Sequence, residues 1–104
     1  MSYAKIEWTR HRNLAELTLT GELDLATAAL LVHEVDRMLT EGTRVIRIDL
    51  RNVSFLDSAG VKALLCSLRS VRARGGRMLL TRPSTPVRKI FTALGFECFL
   101  AQAA

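Results

Sequence analysis

The chain has 104 residues, 49% hydrophobic and 24% charged; this fits one domain, residues 1–104, with a core that needs no staples, and excludes disorder or two domains. Its 15 Lys and Arg exceed its 10 Asp and Glu, for a formal net charge of +5, yet the cations are spread over every predicted element. Only Arg69 to Arg77 forms a local concentration, at a helix end where cations oppose the macrodipole, so direct nucleic-acid binding, which needs clustered cations, is not expected.

Lys5 to Arg10 alternates, with Ile6 and Trp8 on one side, and Leu14 to Thr20 alternates again, with Ala15, Leu17 and Leu19 aligned. His11-Arg12-Asn13 between them predicts a hairpin turn. Asp24 or Thr27 caps a helix whose apolar positions Leu25, Ala28, Val32, Val35 and Leu39 follow the helical period, and Gly42 ends it. Val45 to Leu50 is dense in β-branched residues, as a central strand covered on both faces should be. A loop over Val53 to Ser58 follows. From Ser58 the period turns helical again, through Val61, Leu64, Leu65, Leu68 and Val71, until Gly75-Gly76 stops it. Met78 to Leu80 reads as a short buried strand and Arg82-Pro83-Ser84 as its exit. Thr85 then caps a helix with Pro86 first and Val87, Ile90, Phe91 and Leu94 on one face, closed by Gly95. Phe96 to Leu100 predicts a short edge strand, and Ala101 to Ala104 a frayed end.

The resulting order is α/β: a mixed sheet of four to five strands, with three or more helices and right-handed crossovers. Ligands and partners of such sheets meet the loops beyond the carboxyl ends of the strands. No internal repeat or low-complexity segment is visible. No run approaches the ~18 apolar residues of a membrane span and Met1 to Glu7 has no apolar leader, so the expected location is cytoplasmic, without membrane contact. Cys66 and Cys98 lack CxxC or metal-ligand spacing and read as buried reduced thiols. His11 and His33 show no metal or nucleophile spacing, and no Walker loop or GxSxG elbow appears. The pattern therefore implies no enzyme, metal or cofactor. Trp8 and the four Phe residues are expected in the core.

Two short segments carry the chemistry. In Leu56-Asp57-Ser58-Ala59-Gly60 a serine opens a helix beside an aspartate, where it either caps the helix or, if Asp57 caps, leaves its hydroxyl accessible. Gly60 in a first helical turn costs up to ~1 kcal/mol relative to Ala, which suits an exposed point of close backbone approach. Gly21-Glu22-Leu23-Asp24 ends a strand in a Gly turn, with acids where a helix N-terminus favours them.

Together, at this spacing, the two segments resemble the anti-sigma factor antagonist family, bacterial regulators built on the STAS domain, over almost the whole chain. The resemblance implies a non-enzymatic partner switch that binds an anti-sigma factor and frees its sigma factor. It places the phosphoacceptor at Ser58, modified by the anti-sigma factor acting as a serine kinase and restored by a phosphatase. The docking residues it implies are Glu22, Asp24, Asp57, Ser58, Ala59, Gly60 and Lys62. Ala59 departs from the family's second hydroxyl residue, and Lys62 stands where a small residue is common. The alternative is a STAS-type adaptor that seats on a transport ATPase or another partner without a phosphorylation cycle; a small-ligand domain is a further possibility.

Overall fold

The structure is a computed structural model and describes residues 4–100. Strand β1, Ala4–His11, turns through Arg12 and Asn13 into β2, Leu14–Leu23, with Arg12 in the left-handed region at φ 58°. Helix α1, Leu25–Thr40, leads to β3, Val45–Leu56; helix α2, Ser58–Ala73, leads to β4, Arg77–Thr81; helix α3, Thr85–Ala93, follows. The sheet order is β1-β2-β3-β4, with β1 antiparallel and the other pairs parallel. This is the expected mixed sheet with helical crossovers.

In-register rows such as Ala15, Ile46 and Met78, or Leu17, Ile48 and Leu80, bury one face of the sheet beneath the helices. The opposite face keeps Glu16 and Arg47 exposed, paired at 3.0 Å. Strand β3 is thus covered on one face rather than on both. Ile46, Ile48 and Leu50 point into the helix layer, and Arg47 and Asp49 between them lie on the other face.

Strand β3 also outlasts its expected end at Leu50. Opposite Thr18 and Thr20 it advances from Asp49 to Asn52, and opposite Gly21 and Glu22 from Val53 to Phe55. Each step inserts one extra residue, a bulge that resets which side chains point inward. Buried positions therefore pass from the two-residue spacing of Ile46, Ile48 and Leu50 to the three-residue spacing of Leu50, Val53 and Leu56. The segment expected as a loop is strand as far as Leu56. Gly21, at φ 94°, supplies the matching irregularity on β2.

Other differences have local causes. Leu25 is 74% exposed, because the inward stripe of α1 runs through Ala28, Leu31, Val35, Met38 and Leu39. Trp8 does face the helix side with Ile6, but on an edge strand beyond full cover: it is 44% exposed and lies under the Arg37 guanidinium at 5.2 Å. Phe55 is 48% exposed. Ser84, not Thr85, occupies the cap position of α3, and Pro86 is the second helical residue. The Ser84 hydroxyl makes no cap bond and donates instead to the Val53 carbonyl at 2.6 Å, bracing the bulged end of β3. Phe96 to Leu100 contains a 3-10 turn, Glu97–Phe99, and a single bridge from Leu100 to Leu80 rather than a fifth strand. Cys98 is exposed and Cys66 half-buried, both as free thiols. The expected fraying of Ala101 to Ala104 lies outside the described residues.

Candidate functional site

The bulged end of β3 runs beside the end of β2, with Leu23 opposite Leu56. One residue further along each strand an aspartate caps a helix. Asp24 stands at φ −100°, ψ −169° and its Oδ1 accepts from the Thr27 amide at 3.1 Å and the Thr27 hydroxyl at 3.0 Å. Asp57 stands at φ −103°, ψ −175° and its Oδ1 accepts from the Gly60 amide at 2.9 Å. The Thr27 amide, and then its hydroxyl, hold the Asp24 carboxyl below the usual carboxylate range.

These paired caps share a pattern. Leu23-Asp24-Leu25-Ala26-Thr27 and Leu56-Asp57-Ser58-Ala59-Gly60 align residue for residue as strand end, cap and first helical turn. The two segments share their Leu, Asp and Ala letters, a local capping pattern rather than a repeated unit of the fold. Leu25 and Ser58 fall at the same place, the first helical residue, where a side chain points away from the core. This equivalence explains the exposure of Leu25.

With Asp57 as the cap, the Ser58 side chain is exposed and outside the capping bond. Asp57 satisfies an amide that would otherwise recruit the serine, so the hydroxyl stays available. Ala59 is half-buried behind it, and Lys62, one helical turn further, is exposed. Ser58 and Lys62 line one groove with Leu65, Cys66 and Arg69 of α2 and with Leu94 and Phe96 beyond α3.

Gly60 is buried, contrary to its expected exposure. A Cβ there would run into the Leu23 carbonyl oxygen and lie 2.6 Å from Leu56 Cδ1. The close backbone approach it permits is internal: the end of β2 rests on the first turn of α2. Glu22, half-buried, pairs in register with Phe55, and neither belongs to the buried row of Leu23 and Leu56. Glu22, Asp24 and Asp57 thus lie at the carboxyl ends of β2 and β3, and Ser58, Ala59 and Lys62 follow in the first two turns of α2. Phe55 and Leu25 join them as exposed apolar groups. Phe55 does not stand out in the apolar periodicity, and that periodicity assigned Leu25 to the buried stripe of α1; the shared Leu-Asp-x-Ala letters are the signal that marks Leu25.

The STAS domain model matches residues 5–102. The chain belongs to the STAS domain family. An anti-sigma-B factor antagonist of Staphylococcus aureus is 28% identical to it over 92 residues, 88% of this chain and 85% of that one. An anti-sigma F factor antagonist of Lysinibacillus sphaericus is 31% identical over 93 residues, 88% of this chain and 80% of that one. Among solved structures, the anti-sigma factor antagonist SpoIIAA in its unphosphorylated form superposes with a TM-score of 0.82 at 28% identity, covering 98% of this STAS chain and 89% of the other. The Bacillus cell fate determinant SpoIIAA in the phosphorylated form superposes with a TM-score of 0.76 at 27% identity, covering 98% and 92%. Among the described residues of this STAS domain, no helix is long and apolar enough to cross a membrane.

Proposed function

We propose that this STAS domain is an anti-sigma factor antagonist, a binding protein that engages an anti-sigma factor with serine kinase activity and so releases the sigma factor held by it. Phosphorylation at Ser58 ends the engagement, and a phosphatase restores it. The observation that carries this reading is the exposed Ser58 side chain at the head of α2, left out of the cap because Asp57 fills that role. The relatives named as anti-sigma factor antagonists, and the superposition on a phosphorylated form, support it.

The chemistry asks little of this chain. Ser58 Oγ attacks the γ-phosphorus of the kinase's ATP, the bond to the bridging oxygen breaks, ADP leaves, and the hydroxyl proton passes to a base on the kinase. The antagonist supplies a substrate hydroxyl and a docking face, with no catalytic residue or cofactor of its own. That face comprises Glu22, Asp24, Asp57, Ser58, Ala59 and Lys62, with Gly60 as the internal support beneath them. Phosphorylation adds a charge of about −1.5 to −2 beside Asp57. A helix N-terminus accepts that charge, whereas a dry interface built for a neutral hydroxyl does not.

Incubation with anti-sigma kinases and ATP, followed by intact-mass measurement, tests the reading. Wild type gains about 80 Da, the mass of a phosphoryl group, and Ser58→Ala gains nothing. A shift retained in Ser58→Ala, or an unmodified wild type that purifies with a transport ATPase, overturns it.

A further inference from the structure

We infer that the groove beside Ser58 seats an acidic segment of the anti-sigma partner with an apolar tip, an inference that rests on the function proposed above. The groove has a volume of about 390 Å³. Val61, Leu65, Leu94 and Phe96 give it an apolar wall, and Leu94, just past the end of α3, is 48% exposed. Lys62 and Arg69 are its charged groups, no carboxylate lines it, and neither cation pairs with a carboxylate among the described residues.

On the other side of Ser58 the charge is reversed. Asp24 and Asp57 cap adjacent helices, and Glu22 stands two residues before Asp24. The serine therefore sits on a boundary, with acids toward the ends of β2 and β3 and cations along α2. A partner complementary to both sides must place a basic element against the acids and a carboxylate-flanked apolar side chain in the groove. Such a two-signed surface accepts one orientation and rejects the reverse. Orientation matters here, because the hydroxyl must meet the partner's nucleotide. Lys62 lies four residues beyond Ser58 on the same groove, so a phosphate on Ser58 competes with the partner's carboxylate for that ammonium. Phosphorylation then acts on the groove as well as on the acids.

The test measures affinity for an anti-sigma factor that binds the wild-type chain. K62E/R69E should bind at least tenfold more weakly, and Leu94→Ser should also weaken binding. R12E/R77E changes the net charge equally at the opposite end of the sheet, and it should bind within twofold of wild type. All variants should unfold like wild type. Binding by K62E/R69E within twofold of wild type overturns the groove and leaves the proposed function standing. Equal weakening by both double variants also overturns it, because overall charge would then be the cause. A wild-type chain that binds no anti-sigma factor overturns the proposed function, and the groove's occupant with it.

Discussion

At the scale of single residues the site rests on a division of labour between two neighbours with similar capping chemistry. Aspartate and serine are both good caps, and whichever takes the amide of the third helical residue frees the other. Here Asp57 takes the Gly60 amide at 2.9 Å, so the two substitutions should separate cleanly. Asp57→Ala leaves that donor unpaired and should lower the unfolding free energy by ~1 kcal/mol. Ser58→Ala removes an exposed hydroxyl outside the cap and should change stability by less than about 0.5 kcal/mol. Urea unfolding followed by the fluorescence of Trp8, the single tryptophan, measures both. A larger loss in Ser58→Ala than in Asp57→Ala would show that the serine is a structural cap. Residue types alone leave the choice between the two caps open, because either side chain can reach the amide; the backbone angles at Asp57 decide it.

At the scale of elements the same device recurs at α1, where it is tied to pH. The bonds from the Thr27 amide and hydroxyl hold the Asp24 carboxyl below its ordinary range. A carboxylate with a lowered folded pKa contributes stability that is complete above its unfolded value, about 4, and is lost as pH falls through the folded value. Asp24→Asn keeps a good cap but cannot titrate. Its stability should therefore fall less than that of wild type between about pH 4 and pH 2. Glu34, lowered by its hydrogen bond with Arg37, titrates in the same acid range in both proteins, so the difference between the two curves isolates Asp24. Thermal midpoints across that range measure it, and parallel curves would remove the ionised cap from the account.

The elements also show what the amino-acid pattern discloses and what it hides. The helical stripes of α2 and α3 are visible in the letters because Val61, Leu64, Leu68 and Val71, or Val87 and Phe91, keep a fixed period against one sheet face. The end of β3 is not visible in this way. Its two bulges convert an alternating pattern into Leu50, Val53 and Leu56, a three-residue spacing that does not read as a strand. The exposure of Phe55 follows from those bulges and is equally hidden. Gly60 misleads for a related reason: a glycine needed for close approach has the same letters whether the approaching backbone is a partner's or, as here, the chain's own Leu23. The two helix entrances at Asp24 and at Asp57-Ser58 are legible because capping chemistry is local, independent of long-range packing, although the letters leave open which residue caps.

At the scale of the whole molecule the question is whether the proposed phosphorylation of Ser58 acts through the fold or through contact. Phosphoserine changes the formal net charge from +5 to about +3, a modest change for a domain of this size. The phosphate meets the positive end of the α2 dipole, which offsets its repulsion from Asp57. The fold supports superposition on both the phosphorylated and the unphosphorylated SpoIIAA over 98% of this chain. The Ser58-phosphorylated protein should therefore unfold within about 0.5 kcal/mol of the unmodified one while losing about a hundredfold in affinity for the anti-sigma factor, some 2.8 kcal/mol. Salt separates the two ways such a loss can arise. Repulsion across solvent weakens as the Debye length shrinks from about 10 Å at 0.1 M toward 3 Å at 1 M. Burying an unmatched dianion in a dry interface is screened far less. Titration calorimetry at 0.1 M and 0.5 M salt should find most of the phosphorylation-dependent loss intact at the higher concentration. Recovery of affinity toward that of the unmodified protein would show that the switch works at a distance, and Ser58 would then lie beside the contact surface rather than within it.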